Sequence, residues 1–218
     1  MVDLQSARHI HLIGVGGCSM SGLARILKAH GHEVTGSDRE RTQFTESLDE
    51  AGIPYTVGHT GALLEGADAV IYSAAIRPDN PERVEARRLG LPSLERATLL
   101  GQLMEGFDTA IGVCGAHGKT TTSSMLSHIL VNAGADPSYA IGGFIQGPDG
   151  TTLDGGHAGK GDILVAEADE SDGSFAKYHP TIAIITNCEA DHLDHYGDEA
   201  HYLSLIHISE PTRPEPIS

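Results

Sequence analysis

Short apolar runs alternate along the chain with longer stretches whose apolar positions are spaced three and four apart. His9–Ile13 predicts a strand, Gly14-Val15-Gly16-Gly17 a turn, Met20–Lys28 a helix, and Glu33–Ser37 a second strand ending at Asp38. A further strand is predicted over Ala67–Ser73, then a helix over Pro81–Leu89 opened by Asp79-Asn80-Pro81, and another over Glu95–Met104. Past Gly106 the alternation resumes with a strand over Thr109–Val113 and a helix over Ser123–Val131. Gly142–Gly161 reads as glycine-rich loop with short strands. Ile163–Glu167 and Thr181–Thr186 are continuous apolar runs, the mark of parallel strands covered on both faces. Ligand residues are therefore expected at the carboxyl ends of the strands.

Two turns carry candidate chemistry. The second, Val113-Cys114-Gly115-Ala116-His117-Gly118-Lys119-Thr120-Thr121-Thr122, has the strand–glycine turn–Lys-Thr–helix layout of a phosphate-binding loop. Backbone amides and a helix N-terminus would face the anion, Lys119 would add a point charge, and the Thr120 hydroxyl could ligate Mg²⁺. The spacing is imperfect, because Val113 stands where the loop usually has glycine and Gly115 lies inside it. The first turn opens like a dinucleotide-binding unit, with Asp38 about twenty residues on. Its third glycine position is Ser19, however, and the next glycine is Gly22, so the NAD fingerprint is broken. An NAD-dependent oxidoreductase, a ligand-free turn and a nucleotide-binding module without chemistry stay open on these residues. The fold class that follows is α/β: a Rossmann-like N-terminal domain over 1–106, directly apposed to a P-loop-type ATP-binding parallel-sheet domain over 107–202.

Acidic residues close the strand that follows. Glu167-Ala168-Asp169-Glu170-Ser171-Asp172 supplies four carboxylates, and a carboxylate at a strand end beside a phosphate loop suits Mg²⁺, a hard cation. Asp191-His192-Leu193-Asp194-His195 could ligate a metal by residue type or could open a polar helix, and histidine is a poor Mg²⁺ ligand.

Composition narrows the partners. A formal charge of -16 over 218 residues argues against nonspecific nucleic-acid binding and against an anionic membrane surface. Three widely separated cysteines, Cys18, Cys114 and Cys188, read as reduced thiols of a cytoplasmic protein. No apolar run nears the ~18 residues of a membrane span, and no signal peptide is read.

Taken in order, Gly14–Gly22, Gly36-Ser37-Asp38, Ser73–Ile76, Asp79–Glu82, Gly115–Thr122, Glu167–Asp172 and Asn187–His192 resemble the motif series of the Mur ligases over about His9–Tyr202. His117 and the Glu167–Asp172 run are most similar to the alanine-adding members. A member that recycles a tripeptide is the nearest alternative, and Ala116 departs from the threonine usual there. The resemblance implies ATP-dependent phosphorylation of the lactyl carboxylate of UDP-N-acetylmuramic acid and attack by the amine of L-alanine. It implies phosphate binding by Gly115, Ala116, His117, Gly118, Lys119, Thr120 and Thr121, with Lys119 and His192 in catalysis. Mg²⁺ would be held by Thr120, Glu167 and His192. Gly14, Gly16, Gly17, Ser37, Asp38 and Ser73 would contact the UDP-sugar.

Residues 203–218 do not fit this series. Leu203–Arg213 matches a one-frame translation of a transposon-end sequencing adapter, and Pro211, Pro214 and Pro216 forbid a continuing helix. They are expected to be a non-native tail on a chain lacking the family's C-terminal domain, and such a fragment is expected to bind its ligands without turnover. Oligomeric state and the amino acid added are not legible.

Overall fold

A computed structural model describes residues 4, 6–146, 152–153, 155–168 and 177–187. Its first sheet grows around β1 (His9–Ile13), whose five side chains are all buried. The remaining strands are β2 (Glu33–Asp38), β3 (Tyr55–Val57), β4 (Ala69–Tyr72) and β5 (Ser93–Glu95), all parallel in the order β3-β2-β1-β4-β5. Ile13 stands level with Ser37 and Tyr72, and Asp38 with Val57, so the carboxyl ends of four strands form one edge. The sheet is flanked by α1 (Cys18–Ala29), α2 (Gln43–Glu50), α3 (Pro81–Arg88) and α4 (Arg96–Glu105). Short, weakly patterned α2, β3 and β5 escaped the sequence reading.

The second sheet is centred on β6 (Thr109–Cys114), in the order β10-β7-β11-β6-β12. β7 (Ser138–Ala140), β11 (Ile163–Glu167) and β12 (Ile182–Ile185) run parallel with β6, and β10 (Gly156–His157) pairs antiparallel with β7. The sheet is parallel as expected except for the short edge strand β10, which makes it mixed. A small hairpin, β8 (Ile145–Gln146) with β9 (Thr152–Leu153), completes the glycine-rich stretch. β12 also corrects the expectation of burial on both faces: Ile182 is 48% and Ile185 40% exposed at the sheet edge.

The helix after β6, α5 (Lys119–Asn132), begins four residues earlier than its apolar spacing suggested. Its polarity is also inverted in part. Ser123 and Ser127 are buried, whereas Met125 and Ile129 are exposed. Small serines permit a close approach to the sheet, while Leu126 and Leu130 pack beside Ile111, Tyr139 and Val165.

α1 joins the two sheets. Seven of its twelve residues are buried, more than one face of a helix provides, so it is covered on two sides. One side packs on the first sheet. On the other, Gly22 meets β10 so closely that an added Cβ would lie 2.7 Å from Gly156 Cα, and the Arg25 guanidinium donates to the Gly156 carbonyl. Gly22, the next glycine after the broken fingerprint, therefore serves the packing of one sheet unit on the other. Leu23 and Ile26 of α1 share one hydrophobic cluster with Ala110 and Leu164 of the second sheet.

Candidate functional site

Each sheet ends in a glycine turn that feeds a helix bearing no side-chain cap. α2 and α3 are closed by Thr42 and Asn80, whose oxygens accept the first-turn amides. α1 and α5 start from Gly17 and Gly118 with no such bond. Their first amides and positive dipole ends stay available to an anion.

The first turn is braced by β2. Gly14, at φ +85°, and Val15 donate their amides to the Ser37 carbonyl at 2.8 and 3.0 Å. Asp38 Oδ2 accepts the Gly16 amide at 2.7 Å, and Thr42 Oγ1 donates to the Gly16 carbonyl at 2.7 Å. Asp38 thus holds the turn itself through one carboxylate oxygen. Gly17 is exposed at the helix entrance, and the Ser73 hydroxyl lies beside Gly14. Ser37 is different. Its side chain is fully buried, bonded to Glu82 and, at 3.0 Å, to His59 Nδ1, so its hydroxyl faces protein and only its carbonyl serves the turn.

The second turn is braced by the end of β12. Thr186 Oγ1 donates to the His117 carbonyl at 2.6 Å, while Asn187 donates to the same oxygen at 2.9 Å and accepts the His117 amide at 3.2 Å. Gly115 is required twice over: its φ is +122°, and an added Cβ would overlap Thr186 Oγ1 and stand 2.8 and 2.9 Å from Asn187 O and N. Gly118 sits at φ +85°, the left-handed region, where a glycine opens the helix without strain. Val113, the departure from the usual spacing, is a fully buried strand residue level with Glu167. His117, Gly118, Thr120 and Thr121 are exposed, and Ala116 is half-buried. The Lys119 ammonium folds back on the Gly115 carbonyl at 2.8 Å.

Glu167 closes β11 beside this loop. Its Oε2 accepts the Gly142 amide at 2.8 Å, and its Oε1 is buried with no hydrogen-bond partner among the described residues. An orphaned buried carboxylate oxygen is costly unless something positive meets it. Gly142 and Gly143 run between Glu167 and Thr120: a Cβ on Gly142 would stand 2.6 Å from Glu167 Oε2, and one on Gly143 2.9 Å from the Thr120 methyl. A buried carboxylate oxygen left without a partner suits a hard cation such as Mg²⁺, and Thr120 stands exposed in the first turn of the neighbouring helix. His192 and the Asp169–Asp172 carboxylates lie outside the described residues. Among the described residues no group of three or more His, Cys, Asp or Glu forms a metal cluster.

The sequence reading missed a buried network behind the first turn. Glu82, fully buried at the start of α3, accepts from the Ser37 hydroxyl and from the Gly61 amide at 3.0 Å; His59 Nδ1 lies at 3.2 Å and His11 Nε2 at 3.7 Å. Burial raises its pKa, but the neighbouring His11 ring and the hydrogen bonds from Ser37 and Gly61 outweigh that and hold the carboxyl below its ordinary value. His9 and His11 of the apolar-looking β1 both bond Thr35 Oγ1, at 2.8 and 2.9 Å. The only trace in the sequence was Asn80-Pro81-Glu82, which reads equally as an ordinary helix start.

Residues 9–108 match the description "Mur ligase family, catalytic domain", and residues 113–205 match "Mur ligase middle domain". The chain is 68% identical over 192 residues to a UDP-N-acetylmuramate–L-alanine ligase of Bifidobacterium longum subsp. infantis, covering 88% of this chain and 37% of that protein. A ligase of the same name from Sorangium cellulosum is 47% identical over 190 residues, with 87% and 39% covered. Among solved structures, the UDP-N-acetylmuramate–alanine ligase of Thermotoga maritima superposes with a TM-score of 0.81 at 34% identity, over 91% of this chain and 46% of that one. The UDP-N-acetylmuramate:L-alanyl-γ-D-glutamyl-meso-diaminopimelate ligase of Neisseria meningitides gives 0.77 at 32% identity, over 93% and 67%. This chain thus spans less than half the length of the alanine ligases it matches. With two family descriptions in sequence order over the two sheets, and with both glycine turns intact, the chain belongs to the Mur ligase family.

Proposed function

We propose that the chain carries the nucleotide-sugar and ATP half-sites of a ligase that joins L-alanine to the carboxylate of UDP-N-acetylmuramic acid in peptidoglycan synthesis. The observation that carries the reading is Glu167, whose buried, unpartnered oxygen stands beside an uncapped phosphate-loop helix. Residues up to 106 form the first unit and 107–202 the second. Gly14, Gly16 and Gly17 present the α1 N-terminus to the diphosphate of the sugar nucleotide, with Asp38 and Ser73 at the flanking strand ends. The amides of Gly115–Thr121 receive the ATP phosphates. Lys119 leaves the Gly115 carbonyl to offset charge on the transferred phosphoryl group, where positioning and electrostatics supply most of the catalysis. Thr120 and Glu167, with His192, would hold Mg²⁺, which neutralises phosphate charge when bound. The carboxylate of the sugar attacks the γ-phosphorus, ADP leaves, and the amine of alanine displaces phosphate from the acyl phosphate to give the amide. ATP and a nucleotide sugar as substrates place the reaction in the cytoplasm.

Calorimetric titration with UDP-N-acetylmuramic acid, and separately with ATP and Mg²⁺, tests both half-sites. Binding of the sugar nucleotide is expected, together with Mg²⁺-dependent ATP binding that Lys119→Ala weakens at least about tenfold, as loss of a charged hydrogen bond would. NAD binding without UDP-sugar binding by the folded chain would overturn the reading.

A further inference from the structure

Ile141–Phe144 crosses from β7 to β8 in neither strand nor helix, yet each of its four residues is held in place. Ile141 donates its amide to the Gly155 carbonyl at 2.6 Å. Gly142 gives its amide to Glu167 Oε2 at 2.8 Å, and Gly143 lies so near Thr120 that an added Cβ would stand 2.9 Å from its methyl. The remaining contacts come from the other sheet unit. The Cys18 thiol, in the first turn of α1, donates to the Ile141 and Gly143 carbonyls at 3.5 and 3.6 Å. Phe44, in the first turn of α2, stacks on Phe144 with ring centroids 5.1 Å apart and planes 17° from parallel.

These contacts decide where a carboxylate points. The ladder between β11 and β7 ends at Ala166 and Ala140, one residue short of Glu167. Among the described residues the Gly142 amide is the only donor that reaches the Glu167 carboxylate, so its position sets the direction of the unpartnered Oε1. Two adjacent glycines have the most backbone freedom to lose, and the anchors on either side of them take it up. Cys18 pins the carbonyls of Ile141 and Gly143, which flank that amide, and the ring stack pins the residue that follows. α2 is itself tied to the first glycine turn, because Thr42 caps the helix and donates to the Gly16 carbonyl at 2.7 Å.

We propose that Cys18, Phe44 and Phe144 are positioning residues of the second half-site: the first domain fixes the Gly142-Gly143 segment and, through it, the oxygen that Glu167 offers to Mg²⁺. The inference rests on the reading of Glu167 as the Mg²⁺ carboxylate.

Titration of the full chain with ATP, once with Mg²⁺ and once with Mg²⁺ chelated by EDTA, separates this role from a merely structural one. Phe144 is 43% exposed, so loss of the stack leaves the core intact. Phe44→Ala is expected to weaken ATP binding in Mg²⁺ by about three- to tenfold, the scale of one ring stack, and to leave binding in EDTA unchanged. Phe44→Tyr keeps the stack and is expected to restore the parent's ratio of the two affinities, while Cys18→Ala moves that ratio in the same direction as Phe44→Ala. In the ligand-free chain the amide proton resonance of Gly142 is expected to move upfield in Phe44→Ala, as a weakened bond to a carboxylate requires, and to stay in place in Phe44→Tyr. Equal losses with and without Mg²⁺, an unchanged ratio, no rescue by Phe44→Tyr, or an unmoved Gly142 resonance overturns the inference while leaving the ATP half-site intact. Absence of Mg²⁺-dependent ATP binding by the folded parent instead removes the metal reading of Glu167 and this inference together.

Discussion

Gly115→Ala tests whether the phosphate loop is shaped by closure against β12 or only by a left-handed turn. Two costs add at this position. A side chain at φ +122° occupies a sparsely populated backbone region, which costs about 1–3 kcal/mol. The new methyl would also overlap the Thr186 hydroxyl and press on Asn187 O and N at 2.8 and 2.9 Å, and such overpacking costs about 1–3 kcal/mol more. A total of about 3 kcal/mol is expected, of which the surroundings relieve part. Gly118→Ala supplies the control: its φ is +85°, but nothing lies within 4 Å of the added methyl, leaving only the left-handed cost of about 1–2 kcal/mol. With a urea m-value of about 2 kcal/mol/M, the midpoint falls by about 1.5 M for Gly115→Ala and by about 0.5–1 M for Gly118→Ala. Urea unfolding followed by circular dichroism reads both, and an unchanged slope assigns the shift to stability. Equal shifts for the two variants, or a shift under about 0.5 M for Gly115→Ala, would refute the claim that Thr186 and Asn187 close the loop.

Two further outcomes follow from the buried contacts. Gly22→Ala, whose methyl would stand 2.7 Å from Gly156 Cα, is expected to lower stability by about 1–3 kcal/mol and to separate the unfolding of the two sheet units, measured by calorimetry; a single unshifted transition would show that α1 does not bind the units together. Glu82 binds fewer protons folded than unfolded, because its folded pKa lies below the ordinary 4.5. Its contribution is therefore complete above that value and is lost as pH falls through the lower folded one. Glu82→Gln is expected to be less stable at neutral pH and to show a shallower decline below pH 4.5, and an unchanged acid limb in urea midpoints would contradict the network.

The alternation of apolar runs and spaced apolar stretches determined the order of β1, α1, β2, β4, α3, α4, β6, β11 and β12, because sheet strands are built from short apolar runs and helices from apolar positions spaced three and four apart. The glycine turns were legible for the same local reason. A chain that must turn sharply into a helix and leave its amides bare needs glycine there, and Lys119 and Glu167 stand at the adjoining helix start and strand end. What the tertiary structure decided is what distant segments do to each other. Gly22 looked like a failed fingerprint and is a contact with Gly156, 134 positions away. Ser37 looked like a ligand residue and is consumed by Glu82 and His59. Asp38 turned out to brace Gly16. His59 and Glu82 had no local signature at all, since a hydrogen-bonded network is set by which strand ends lie side by side, and pairing across 23 residues leaves no periodicity to read. Local sequence fixes where a backbone can bend and which faces seek burial; only the packed sheets decide which polar groups are spent on one another and which remain for a ligand.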